Sequence, residues 1–287
     1  MFNSQFLYLA VALLVSSVTA FVPFENGMEY EFRFKSKLNL EPSFLTGQSG
    51  NATLIVRKFG TDGSSLVVRI KDSEVIGKNV DSETKGHVEG IFGVKRDVSG
   101  AITHIISKSN SAKEVLTKKN IVSMLSDDFS FFDNYVRSTA SRKKRERVDL
   151  SIGWCNCDIS AETDDDSGLT NVLAQTEIRN CDVNPLIIKA GQYLLQGTTK
   201  TIARIEEDSN IGMSIMFDTK TKQMLEVNKF TFLNLVIMGI EVQARHNMIL
   251  EYVGEHPVTS ETDFGKPYSA FSKEDIDDFI REQKEED

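Results

Sequence analysis

The strongest constraint on this chain is a two-residue period that returns along most of its length. Tyr30, Phe32 and Phe34 alternate with Glu29, Glu31, Arg33 and Lys35, so an aromatic row falls on one side and charge on the other. Leu66, Val68 and Ile70 alternate with Val67, Arg69 and Lys71 after Asp62-Gly63, and Met213, Ile215 and Phe217 repeat the pattern. This is the period of a strand with one buried face, and Asp-Gly suits a two-residue hairpin. Phe92 and Val94 lead through Ser99-Gly100 into Ile102 and Ile106, a second hairpin signal. Residues 230–242 are strongly apolar but short and interrupted by Asn234, which predicts a buried strand. The body of the chain therefore reads as antiparallel sheet.

One segment breaks the period. Ser111 and Glu114 form a capping box, after which Val115, Leu116, Ile121, Val122, Met124 and Leu125 recur at helical spacing up to Asp127 and Asp128. A large barrel needs something apolar inside it, so the pattern predicts a mainly β fold: a large antiparallel β-barrel plugged by one mid-chain helix. The same pattern also fits a helix laid across the outside of a sandwich. Beyond Gly254, Pro257, Gly265 and Pro267 lie among polar residues and predict a linker. Ser272 and Asp275 then cap a short acidic helix with a narrow stripe of Ile276, Phe279 and Ile280.

The first twenty residues have no charged side chain and hold an apolar run from Phe6 to Val15, with Val18 and Ala20 where a signal peptidase reads. They are expected to be a secretory signal, although the run lacks the Lys or Arg that usually precedes it. The expected organisation is a signal at 1–20, one β-barrel domain at 21–254, and a linker with an acidic tail at 255–287. No later run reaches the ~20 apolar residues of a membrane span. The expected location is extracellular.

Charge and motifs exclude several functions. A formal net charge of −9 argues against nucleic acid, which requires a concentrated basic surface. Residues 271–287 alone hold eight acidic side chains against three basic ones. No nucleophile elbow, HExxH, P-loop or dinucleotide fingerprint occurs, so no catalytic residue is nominated and an enzyme is not expected. His87, His104, His246 and His256 lack ligand spacing, and Asp164, Asp165 and Asp166 lack the alternating ligands and glycine of a calcium loop. The acidic triplet reads as a solvated hairpin tip. No metal and no cofactor are expected. Three cysteines in a secreted chain allow at most one internal disulfide and leave one sulfur over.

Several residues stand in a familiar order: Phe92-Gly-Val-Lys-Arg-Asp-Val-Ser-Gly100, Ile102 to Ile106, Lys118-Lys-Asn-Ile-Val-Ser-Met-Leu125, Gly153-Trp-Cys-Asn-Cys157 and Ile178-Arg-Asn-Cys181. Over residues 24–253 this succession resembles the N-terminal β-barrel module, or vitellogenin domain, of the large lipid transfer proteins. That family includes vitellogenin, insect apolipophorin and microsomal triglyceride transfer protein. The resemblance implies a barrel around a helix and a disulfide from Cys155 to Cys181. Cys157 departs from the family pattern. It could compete for Cys181, remain a buried free thiol, or bridge to a second chain and give a dimer. Trp154 is expected to pack on the disulfide.

The resemblance further implies lipid transport as ancestry, with receptor recognition and protein docking as the activity of this module. If lipid binds, it should be one or a few molecules beside the helix, touched by Phe32, Phe92 and Ile121. The alternative is that these side chains fill the core. A different class is a small extracellular lipid carrier. A third is a precursor cut after Arg145, because Arg142-Lys143-Lys144-Arg145 matches a furin-type convertase site. A basic surface loop or a docking patch would look the same. Asn51-Ala52-Thr53 is the sole N-glycosylation sequon and is expected in a solvent-facing turn.

Overall fold

The period-two segments form strands wherever apolar and polar residues alternate. The computed structural model describes residues 24–25, 27–42, 47–59, 65–76, 89–96, 102–106, 118, 121–125, 144–150, 153–183, 204–206, 209–221, 223–237 and 240–258. Within these lie β1 (Met28–Glu41), β2 (Gln48–Phe59), β3 (Ser65–Ile76), β4 (Gly90–Arg96), β5 (Ile102–Ile106), β6 (Lys144–Leu150) and β7 (Gly153–Asp164). They are followed by β8 (Leu169–Glu177), β9 (Cys181–Val183), β10 (Arg204–Ile205), β11 (Asn210–Asp218), β12 (Met224–Ile237) and β13 (Ile240–Pro257). The expected signal at 1–20 and the acidic helix lie outside the described residues, as do the hairpin turns expected at Asp62-Gly63 and Ser99-Gly100 and the capping box at Ser111.

All strands join one antiparallel sheet in the order β5-β4-β3-β2-β1-β13-β12-β11-β8-β7-β6, with β9 beside β7 and β10 beside β12. The mainly β expectation holds. Among the described residues, however, the path does not return on itself: β5 and β6 stand at its two ends, so the expected closed barrel is here an open sheet. β1 and β13, the first and last of the described strands, meet in its middle, in register from Met28 opposite Pro257 to Glu41 opposite Gln243. A bulge between Glu31 and Phe32 pushes Val253 out of the ladder.

The alternation sorts side chains between the two faces. Tyr30, Phe32 and Phe34 of β1 are buried, as are Leu54 and Val56 of β2, Val68 and Ile70 of β3, and Ile215 and Phe217 of β11. Together with Phe92, Ile159, Val172 and Leu250 they form one continuous core on the inner face. The outer face carries most of the charge. There the buried Arg57 of β2 forms an ion pair with the half-buried Glu29, its opposite number on β1.

Lys118 and residues 121–122 are helical, and Ser123–Leu125 tighten into a 3₁₀ turn. Among the described residues no helix reaches seven residues. Ile121, Val122, Met124 and Leu125 are all buried, and all belong to the inner-face core. Burial at four of five successive positions is the mark of an enclosed segment, whereas a helix across an outer surface keeps a wet side.

Three local expectations are corrected. Residues 230–242 do not form one buried strand. They form the end of β12 and the start of β13, which run antiparallel and pair with each other from Phe230 opposite Asn247 to Ile237 opposite Ile240. The sheet also outlasts Gly254, since residues 255–257 pair with Met28 to Tyr30 and so belong to β13, not to a linker. Asn51 lies within β2 opposite Lys35, not in a turn.

The enclosed position of residues 121–125 has a measurable consequence. Met124→Ala removes a side chain with no exposed surface, and its expected cost is about 2–5 kcal/mol in denaturant unfolding. A shift below about 0.5 kcal/mol, typical of surface positions, would place the segment outside the core.

Candidate functional site

The inner face brings together the three side chains expected to touch lipid. Phe32 and Phe92 have no exposed surface, Ile121 has 2%, and all three share one core. The Phe32 ring meets Tyr252 edge-on at 5.7 Å, and Lys118 places its ammonium 5.2 Å from the centre of the Phe92 ring. An acyl chain at these positions would have to displace packed side chains. Farther along the same face the apolar rows are interrupted. Ser36 Oγ and His246 Nε2 hydrogen-bond at 2.9 Å, Thr231 lies opposite His246, and Lys229 is 4% exposed opposite Met248. Beyond this belt, Leu38, Leu40, Leu233, Val242 and Ala244 form a second, smaller apolar cluster. Burial pushes the His246 imidazole below its ordinary value.

The corner built by β6, β7 and β9 holds the sulfurs. Cys155 stands opposite Cys181 in the β7–β9 register, and the two form a disulfide with Cα atoms 4.0 Å apart. Between β8 and β9 the chain makes a 3₁₀ turn over Ile178–Asn180, whose first N–H donates to the Ser209 carbonyl at 2.8 Å. That turn buries Ile178 and returns the strand to β7 at Cys181. Cys157 is a free thiol with no exposed surface. Burial, reinforced by the Asp158 carboxylate and opposed by Arg145, pushes this thiol up to about 12.

Trp154 does not pack on the disulfide. Neighbouring residues of a strand point to opposite faces, so burying Cys155 turns Trp154 outward, where it is 41% exposed. The Arg147 guanidinium lies 5.7 Å from its ring and also pairs with Asp182 at 2.5 Å. This outer corner thus presents an aromatic surface beside paired charges.

Of the basic run, Lys144 and Arg145 open β6, opposite Ile159 and Asp158 of β7, while Arg142 and Lys143 lie outside the described residues. Arg145 Nε lies 3.8 Å from Asp158 Oδ1, and both side chains are solvated. Asp164 to Gly168 form the tight turn between β7 and β8. Asp164 accepts from the Ser167 hydroxyl and from the backbone N–H groups of Asp166 and Ser167, and these bonds hold its carboxyl below the usual carboxylate value. Gly168 adopts a φ of +70°, which closes the turn. Among the described residues, no group of three His, Cys, Asp or Glu side chains could hold a metal ion.

A groove of about 510 Å³ opens on the outer face, lined from β1, β2, β3 and β13 by residues that include Lys35, Lys37, Asn51, Thr53, Ile76 and Ile249. Sequence reasoning nominated Asn51 but neither the groove nor the buried polar belt. The belt did carry a sequence signal, because Lys229 and Thr231 share the parity of the inward Val227 on β12. The groove carried none, since it depends on which strands become neighbours.

No protein-family profile matches the chain. No curated protein matches it. Among solved structures, lipovitellin, described for its lipid–protein interactions, superposes with a TM-score of 0.59 at 10% identity over 83% of this chain. The chain spans only 26% of the length of lipovitellin. A DUF1329-family protein from Desulfovibrio piger (10% identity, TM-score 0.26) covers 92% of this chain and 98% of its own. A LolA-superfamily protein from Nitrosomonas europaea (7% identity, TM-score 0.23) covers 86% and 93%. Scores this low carry no argument. The lipovitellin likeness shows a shared β fold.

Two measurements test the sulfur corner. Cys157 should resist alkylation in the native protein at pH 8 and react fully in denaturant. The folded thiol stays protonated to about 12 against an ordinary 9.0, so the unfolded chain loses its proton first. Stability is therefore complete below pH 9 and falls as pH rises towards 12. Replacing Cys155 and Cys181 together with Ser should cost about 3–4 kcal/mol, the loop entropy expected for their separation of 26 residues. An unchanged denaturation midpoint would contradict that.

Proposed function

We propose that this chain is a secreted, non-enzymatic binding module of the vitellogenin-like lipid transport type, which docks to a protein partner or cell-surface receptor and holds at most a few lipid molecules. One observation carries the preference for docking over bulk carriage: the inner face is occupied by the chain's own side chains. Phe32, Phe92 and Met124 have no exposed surface and Ile121 has 2%. The fold shared with part of lipovitellin supports the lipid-transport ancestry. A disulfide suits an oxidising, extracytoplasmic compartment. Exposed Trp154, stacked with Arg147, offers the aromatic and guanidinium chemistry on which protein contacts concentrate.

Native mass spectrometry of the protein secreted into medium, before and after organic extraction, tests this reading. The expected result is one unbroken chain at monomer mass that loses little or nothing on extraction. Loss of many lipid masses would overturn it in favour of a carrier. Two separable fragments would indicate a precursor cut after Arg145, and a doubled mass that collapses on reduction would indicate a dimer through Cys157.

A further inference from the structure

We propose that Asn51 carries an N-linked glycan whose first sugars lie in the outer-face groove between β1, β2, β3 and β13. The proposal rests on the reading of the chain as secreted. Asn51 and Thr53, the acceptor and hydroxyl positions of the sequon, stand two residues apart on β2, and both line the groove. Ala52 between them turns inward and is 6% exposed. The sequon is therefore presented as one outward face of a strand.

The surroundings fit a sugar. A bulge sets Ala52 of β2 against both Asp72 and Ser73 of β3, with Asp72 at a φ of +54°, and a bulge bends its strand and sharpens the local twist. The groove beside it, about 510 Å³ and open to solvent, falls within the roughly 300–1,000 Å³ range of binding clefts. Its lining is mixed. Ile76, one of three large apolar side chains left exposed among the described residues at 58%, and Ile249 offer C–H surface to a pyranose face and an acetyl methyl. Lys35, Lys37 and Asn247 offer donors to hydroxyl and carbonyl oxygens. The bond that now holds Asn51, from its Nδ2 to Glu74 Oε2 at 3.3 Å, is long and exposed. Releasing it costs little.

The modification is a glycosyl transfer from a polyprenyl-diphosphate-linked oligosaccharide. Asn51 Nδ2 forms a bond to C1 of the first N-acetylglucosamine, the C1–O bond to the diphosphate breaks, and the diphosphate departs with the electron pair. The amide nitrogen gives up one proton to a base of the transferase. No oxidation state changes. With its sugars seated, the β1–β2–β13 face is covered, and docking is directed elsewhere.

Full-length protein expressed in secretory animal cells, with Asn51→Gln and Thr53→Ala variants, provides the test. The secreted chain should show one mass step removed by an endoglycosidase and missing from both variants. Amine acetylation of Lys35 and Lys37 should be slower on the glycosylated protein than on the same protein after enzymatic sugar removal, with Lys220, in the turn after β11, unchanged. This second comparison needs no variant to fold. An exported chain without the mass step overturns the proposal alone, whereas a chain retained in the cytosol overturns the secretory reading as well. Equal labelling of Lys35 and Lys37 with and without the sugar overturns the placement in the groove.

Discussion

The pairing of β1 with β13 is the constraint on which the rest of the structure depends. Among the described residues, β2 to β5 reach the remainder of the sheet only through β1, and β6 to β12 reach it only through β13. The ion pairs across this seam, Lys35 with Glu251 at 2.6 Å and Arg33 with Glu251 at 3.7 Å, are solvated and contribute about 0–1 kcal/mol each. Its strength lies in the backbone ladder and in the inward row of Tyr30, Phe32 and Phe34. That row packs with Leu250 and Tyr252 on one side and Leu54 and Val56 on the other. All three cysteines lie in the half that contains β13, so no disulfide reinforces the seam.

Much of this fold is legible in the sequence, because a strand with one buried face writes its period directly into residue order. The rows at Tyr30, Leu66 and Met213 fall where strands form and face the way their parity requires. The enclosed segment at 121–125 is visible for the same reason, since four apolar residues in five positions need cover on every side. Parity also explains an error. Trp154 beside Cys155 suggests contact between an indole and a disulfide, yet adjacent strand positions oppose each other, so the indole is outside. Which strands become neighbours is not written locally. The outer groove, the Glu29–Arg57 pair and the meeting of Ser36 with His246 all join residues far apart in the chain.

The two faces suit different tasks. The inner face holds apolar rows and a short polar belt, with the space between filled by residues 121–125. Stability and shape come from there. The outer face carries the charged rows, the exposed indole and the groove at Asn51. A single sheet can divide the work this way because its alternation keeps the chemistries on opposite sides of one backbone layer.

The central place of β13, so late in the sequence, has a consequence for biosynthesis. Between the end of β1 at Glu41 and the start of β13 at Ile240 the ribosome must add about 200 residues, which takes on the order of 10–40 s at about 5–20 residues per second. Throughout that interval β1 has its ladder to β2 but no neighbour on its other side, and its free amides and carbonyls border a row of tyrosine and phenylalanine. An unsatisfied edge of this kind is a template for aggregation. Until β13 is made, that edge of β1 stays open to pairing with another strand.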